Sequence, residues 1–449
     1  MHLRDAISFY HDLLDPTTAQ DTAAELEEQQ RRRGLQFGDR AICTVLRPRF
    51  LTEAQYAFLQ AQMRRLMLVF EKAFCIARDD AHFRAQFHLP EWEEALVMLP
   101  LPFPTASPTS RMDTFYLPAT QVLRCTEYNA ETPAGIGYSD ALSEIMLTLP
   151  AMRCFEQRYD VRPLPAMHHV LNILMSCYRA WGGQEHPRIC ILDWREVPTY
   201  SEFVVFEEYF RRQGYDCLIA DPRECDYRAG TLYARGRRVQ IIYKRVLISE
   251  LVQHGGLDQP VLQAVRDNAV CTVNPPQCKL LHRKTSLAVL SDEANAARFT
   301  ADERATIHDL IPWTRYVEER FTQHNGRRVD LVPFIAEHKD QLVLKPADEY
   351  GGKGVVLGWT VSQTEWERAL TEALHTPTVV QERVEVPHEE FPSFANGALH
   401  FIPRLMDTNP YLWHGSYASG CLTRLSTAAL LNVTAGGGST VPTMLIQAR

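Results

Sequence analysis

The sequence has no C-x-x-C, no H-E-x-x-H and no H-x-x-x-H. Zinc frameworks and thioredoxin-type redox pairs need their ligands at such fixed spacings, so both are excluded. No apolar run reaches the ~18 residues that a membrane-spanning helix requires. The first residues, MHLRDAISFYHDLLDP, lack the apolar stretch of a signal peptide. A basic excess is missing as well: 47 Lys and Arg stand against 55 Asp and Glu, a formal net charge of −8. Binders of nucleic acid or of anionic membranes work through a basic surface, so neither partner is expected. The eleven cysteines are odd in number and scattered, mostly in apolar runs. They read as reduced, buried thiols of a cytoplasmic chain and not as a disulfide framework.

What is present fits an ordinary globular protein. The chain has 449 residues, 45% apolar and 23% charged, enough for two or three domains. Its most informative stretch is Gln341–Trp359, QLVLKPADEYGGKGVVLGW. Gln341–Lys345 and Val355–Leu357 read as strands. Between them lie Gly351, Gly352 and Gly354, which let the backbone turn tightly and approach a ligand. Lys345 ends the first strand and Lys353 sits among the glycines, so the loop is built to lie over an anion. A Walker A loop is excluded because Lys353 is followed by Gly354 and then by a strand, not by Ser or Thr opening a helix. The pattern is strand, glycine loop, strand: a flap over phosphates.

Taken from its start, the chain reads as helical over residues 1–94. Thr18–Arg33 is polar and reads as a solvated helix. Thr52–Arg78 opens with the capping-box pair Thr52 and Gln55 and carries apolar residues at helical spacing, as a packing helix does. Leu99–Ser110 holds four prolines and marks a boundary. Two strands follow, one carrying Arg111-Met-Asp113 and one ending in Glu127-Tyr-Asn129. Alternate residues of a strand share a face, so pairing would bring Asp113 against Glu127 and Asn129. Carboxylate and carboxamide oxygens form a shell suited to Mg²⁺, although a surface hairpin carries such residues too.

Beyond this point Asp140–Arg158 and Pro165–Trp181 read as helices, with His168 and His169 packing or facing solvent. Arg188–Asp193, Thr199–Gln213 and Cys217–Ala220 form a strand–helix–strand unit. Thr231–Ala234 and Val239–Tyr243 read as a hairpin, and Cys271–Asn274 as a further strand. This is an α/β domain with a parallel core. Loops beyond strand ends bind ligands in open sheets, which singles out Thr199 and Ser201 as substrate contacts. Ser362 and Glu365 open another helix, and Thr378–Glu382 is a strand.

Lys345-Pro through Gly354, with VVQERVEVP at Val379–Pro387, resembles the ATP-grasp enzymes, and in particular the circularly permuted proteins related to glutathionylspermidine synthase. The resemblance spans most of Arg111–Pro442. Its closest stretch is Glu127-Tyr-Asn-Ala-Glu-Thr-Pro133, where the family has Asp in place of Glu131. It implies a mixed α/β, circularly permuted ATP-grasp fold, with a parallel α/β pre-ATP-grasp domain and an N-terminal helical region. The parts are expected at residues 1–100 (helical), 111–160 (metal ligands), 185–280 (pre-ATP-grasp) and 281–449 (nucleotide binding). It implies that Asp113, Glu127 and Asn129 hold magnesium and that Arg111 faces an acceptor carboxylate. Lys284 and Lys345 would meet ATP, with Lys279 as the rival of Lys284. The flap residues Tyr350, Gly351, Gly352, Lys353 and Gly354 would cover the phosphates. Gln381, Glu382 and Val384 would read the adenosine. Arg424 would contact the transferring phosphoryl group, with Arg404 as its competitor and Asp407 as an added metal ligand. Asn432 and Gly436–Gly438 resemble the family's closing segment.

The expected activity is that of an ATP- and Mg²⁺-dependent ligase joining a small carboxylate to an amine through an acyl phosphate. Residues 1–110 show no Cys/His constellation, so the amidase domain of some glutathionylspermidine synthases has no counterpart. Two alternatives stand beside it: a nucleotide-binding sensor or partner subunit, and an ATP-dependent small-molecule kinase.

Overall fold

The computed structural model describes residues 3–38, 40–429 and 438–449. Asn432, Gly436 and Gly437 of the expected closing segment lie outside them. The architecture is mixed α/β with several sheets. The largest sheet has nine strands. Its main path runs His388–Ala395, Ala398–Met406, Tyr417–Ser426, Asn409–Trp413, Thr109–Leu117, Val122–Asn129. Ser439–Ala448 branches from Tyr417–Ser426 and also pairs with Arg49–Leu51 and Tyr159–Pro163. Tyr411 stands opposite Arg111, so early and late parts of the chain meet in one hydrogen-bonded layer.

The long helix Glu53–Asp79 covers one face of that layer. Thr52 and Gln55 close its capping box as the residues predict. Leu59, Met63, Leu66, Phe70 and Phe74 are buried against Met112, Tyr116, Leu123, Cys125 and Tyr128. Burying each such side chain is worth roughly 1.5–3 kcal/mol, so the sheet is pinned firmly to the helix.

A second, four-stranded antiparallel sheet is ordered Thr314–Tyr316, Thr378–Glu382, Leu342–Pro346, Val356–Leu357. A third is parallel, ordered Cys271–Val273, Ile241–Lys244, Ile189–Leu192, Cys217–Ala220. Among the helices of the described residues, none is long and apolar enough to cross a membrane.

Three sequence expectations need correction. The helix Pro16–Arg32 is not solvated all round: Ala19, Thr22, Leu26 and Gln30 are buried, and Gln30 hydrogen-bonds both the N–H and the carbonyl of Cys43. Asp140–Arg158 is two helices, Ile136–Thr148 and Pro150–Phe155, because Pro150 has no N–H to continue the first. Thr231–Ala234 pairs with Arg237–Arg238 and Cys225–Arg228, whereas Ile241–Lys244 leaves for the parallel sheet. Its all-buried side chains suit a strand covered on both faces. His169 packs on Trp413 and meets the Tyr417 hydroxyl, in line with the packing role expected of it.

Candidate functional site

The largest and the antiparallel sheet face each other across an open cleft of about 1080 Å³. Arg111, Asp113, Glu127 and Asn129 line one wall, and Lys345, Gln381, Glu382 and Val384 the other. Lys284, Gly351, Gly352, Lys353, Asp407 and Arg424 also line it.

The first wall depends on an irregularity. Arg111 stands opposite Asn129 and Asp113 opposite Glu127, as expected, but Thr114 then faces Cys125. Thr126 is therefore an extra residue in its strand. A regular strand would point Cys125 and Glu127 to the same side; the bulge lets Cys125 enter the core while Glu127 faces the cleft.

Charge pairing organises this wall. Asp113 accepts from Arg111 Nε at 2.7 Å and from Arg424 Nη2 at 2.7 Å. Burial opposes its charge, but the two guanidiniums outweigh burial and hold its carboxyl well below the usual carboxylate range. Arg424 also donates from Nε to Asp407 at 2.6 Å. Burial pushes the Asp407 carboxyl up, against the pull of Arg424. Glu127 lies 3.2 Å from Lys284 Nζ. Lys284, then Lys345, keeps its carboxyl low in spite of burial.

On the second wall, Lys345 Nζ donates to Gln381 Oε1 at 2.6 Å and to the Thr126 carbonyl at 3.3 Å. Burial, helped by the nearby charge of Lys284, pulls the Lys345 ammonium down to about 8, against the pull of Glu127. Gln381 in turn donates to Thr314 Oγ1 at 3.0 Å, so its side chain is committed to placing the lysine. The backbone N–H of Glu382 goes to the Trp313 carbonyl and that of Arg383 to the Gln341 carbonyl. Both N–H groups are thus committed to the protein, while Gln381, Glu382 and Val384 all line the cleft.

The flap arches over the cleft with Gly351, Gly352 and Gly354 at φ of 64°, 74° and 71°. Those left-handed values favour glycine, and a Cβ on Gly354 would lie 2.7 Å from Pro346 Cγ. Lys353 is exposed beside Glu349. Tyr350 does not line the cleft; its hydroxyl turns away to Glu250 at 3.1 Å.

Asp113, Glu127 and Asn129 supply hard oxygen donors from neighbouring positions of two paired strands, as Mg²⁺ prefers. The Asn129 Nδ2 is buried without a hydrogen-bond partner, so this amide is not fixed by the protein. Five carboxylates (Asp113, Glu127, Glu349, Glu382, Asp407) and five cations (Arg111, Lys284, Lys345, Lys353, Arg424) line the cleft. A triphosphate entering so balanced a site needs countercharge of its own, which divalent cations bring. The residues fit the group in donor type. Among the described residues, however, no three His, Cys, Asp or Glu are grouped to hold a metal unaided.

Several expected residues lie elsewhere. Thr199 and Ser201 are not in the cleft: Ser201 Oγ meets the Tyr138 hydroxyl and the Gln36 carbonyl, each at 2.7 Å. The next residue, Glu202, is buried outside the cleft lining and accepts from the N–H groups of Gly135 and Gly137 and from Arg245. Arg404 also misses the cleft and lies beside Ser393, whereas its competitor Arg424 lines the cleft and bonds Asp113. Lys284 lines the cleft while its rival Lys279 is fully buried behind it. Glu131 is buried too, held by Lys244 at 2.8 Å. Sequence reasoning gave no role to Glu202, Lys244 or Asp348; an acidic residue next to the flap was the one available signal.

No family model matches the chain, and no curated protein matches it in sequence. Among solved structures, it is similar to a glutathione synthetase-like effector from Globodera pallida. The two share 11% identity, over 97% of this chain and 95% of that one, with a TM-score of 0.58. D-alanyl-alanine synthetase A from Vibrio cholerae aligns over 49% of this chain and 68% of its own at 12% identity, with a TM-score of only 0.28, too low to support an argument. The first likeness shows the fold: mixed α/β and ATP-grasp-like, over nearly the whole chain.

Proposed function

We propose that the chain is an ATP- and Mg²⁺-dependent ligase that joins a small carboxylate to an amine, in a circularly permuted arrangement like that of glutathionylspermidine synthase. One observation carries the reading: Lys345 and the glycine flap share a cleft with Asp113, Glu127 and Asn129, which precede them by more than 200 residues. In this reading residues 111–160 and 281–449 are the two halves of the ATP-grasp unit, and residues 185–280 are the pre-ATP-grasp domain. The synthetase-like neighbour over almost the full length supports the fold on which it rests.

The chemistry follows from the charges. Lys284, Lys345 and Lys353 neutralise the phosphates; a unit pair at 4 Å is worth roughly 4 kcal/mol at an effective dielectric of 20. Asp113, Glu127 and Asn129 would hold magnesium, which would supply charge neutralisation for the phosphates. Arg111 orients the acceptor carboxylate, and Arg424, on the other side of Asp113, faces the transferring group. A carboxylate oxygen attacks the γ-phosphorus, ADP leaves, and an amine then displaces phosphate from the acyl phosphate. The chain contributes positioning and electrostatics and no covalent nucleophile. A closed flap keeps water from the acyl phosphate.

A second reading, a nucleotide sensor without turnover, is favoured by one observation: Arg111 and Arg424 both bond Asp113 and so compete with a metal for its carboxylate. The kinase reading differs only in the acceptor. One experiment separates the three. The protein is screened with pooled carboxylates and amines for phosphate release, and the active carboxylate is then supplied with oxygen-18. The ligase gives ADP and labelled phosphate. AMP rejects it, ADP with a stable phosphorylated product indicates the kinase, and no turnover alongside tight ATP binding indicates the sensor.

A further inference from the structure

Directly behind the cleft lies a second set of charges that the reaction does not use. Lys279 Nζ is fully buried among three carboxylates: Glu93 at 3.4 Å, Glu131 at 3.1 Å, and Asp348 in a short hydrogen bond. Arg283 adds a bond to Glu93 at 2.8 Å, and Lys244 one to Glu131 at 2.8 Å. Three carboxylates thus meet three cations. His282, beside them, is kept neutral near neutral pH, pushed down to about 4 by burial and by Lys279. The members come from the helix Glu91–Val97, the turn after Asn129, the parallel sheet, the short helix Lys279–His282 and the flap. Asp348 is the one member on the flap, and with 18% of its side chain exposed it is the one most open to solvent.

Next to Asp348, the Ala347 N–H donates to the Pro377 carbonyl at 2.8 Å and its carbonyl accepts from the Lys284 N–H at 2.9 Å; the side chains further along the flap lie more in the open. Tyr350 is 55% exposed and the Lys353 side chain 74%. Lys284 Nζ does bond the Glu349 carbonyl, but the same ammonium faces the cleft and pairs with Glu127. An anion entering the cleft competes for it.

We propose that Lys279 is a positioning residue for the flap. Through Asp348 it holds the flap base in place, so that Lys284 can leave Glu349 for an incoming phosphate without the flap lifting. Glu93 and Glu131 hold Lys279 in turn, and Glu131 also ties it to Lys244 of the parallel sheet. This deepens the nucleotide reading of the cleft and rests on it.

The test compares wild type with Asp348→Asn, Asp348→Glu and Lys279→Met. It reads amide hydrogen exchange across the ligand-free chain and calorimetric binding of Mg²⁺ with β,γ-imido-ATP. For Asp348→Asn, flap amides at 346–355 should exchange about tenfold faster and the Kd should rise about tenfold, the scale of one lost hydrogen bond to a charged group. Exchange elsewhere should stay as in wild type, and Asp348→Glu should restore both readings. Lys279→Met should show the same flap acceleration; where it does not fold, the Asp348 pair decides. Unchanged flap exchange and affinity in Asp348→Asn, or an acceleration spread over the whole chain, overturns the proposal. A wild type that binds no nucleotide analogue defeats the reading of the cleft instead, and the ligand-free exchange still decides the role of Lys279.

Discussion

Two ionic clusters lie side by side, built from the same residue types. In the cleft, Asp113, Glu127 and Asp407 face Arg111, Arg424, Lys284 and Lys345. Behind it, Glu93, Glu131 and Asp348 face Lys244, Lys279 and Arg283. The first opens to solvent, the second is almost wholly enclosed. Access decides what each can do. Cations of the open cluster can exchange protein carboxylates for ligand phosphates. Those of the closed cluster can exchange partners with nothing, so they fix geometry.

That contrast is sharpest in stability. Lys279→Met leaves three carboxylates facing two cations, Lys244 and Arg283, in an enclosed cluster and should cost about 3–5 kcal/mol in urea unfolding. Lys345→Met should stay within about 1 kcal/mol of wild type or gain, because the Lys345 charge is already disfavoured by burial. Equal losses at both positions would erase the distinction between the clusters.

In turnover the ranking should invert. Asp113→Asn and Glu127→Gln should each lower kcat by about 10²-fold or more, as loss of a charge-stabilising group does. Normal turnover in either variant would remove the open cluster from the chemistry.

A smaller effect is expected with pH. The Lys345 ammonium titrates near 8 in the free chain, and a bound phosphate raises that value. Affinity for Mg²⁺·ATP should therefore be full below pH 8 and fall above it, by up to about tenfold per pH unit. Lys345→Arg should flatten the profile; an unaltered profile would assign the titration elsewhere. The smallest change belongs to Tyr350→Phe, which removes one exposed hydrogen bond to Glu250. Binding should weaken by no more than about 0.5–1.5 kcal/mol, and a larger loss would mean that Tyr350 enters the cleft after all.

Much of this arrangement is legible in the chain. Thr52 with Gln55 starts the long helix, Thr378–Glu382 is a strand to the residue, and Asp113 pairs with Glu127. These features follow from local rules of capping and alternation. The bulge at Thr126 was not legible, because period-two reasoning carries no information about an inserted residue. Nor was the destination of Ile241–Lys244: its apolar run suits a hairpin or a parallel sheet, and long-range packing made the choice. Gln381 looks like a ligand contact by position, yet it serves a lysine of the protein. A sequence shows that a polar side chain is near a site, not which partner it meets first.

The central claim is that the cleft takes a magnesium nucleotide through Lys345. Calorimetric titration of Mg²⁺·ATP into wild type and Lys345→Ala tests it most directly. The prediction is one site per chain in wild type and at least a tenfold weaker one in Lys345→Ala, about 1.4 kcal/mol, at an unchanged melting temperature. Equal affinities in the two proteins, or no binding in wild type, would contradict it.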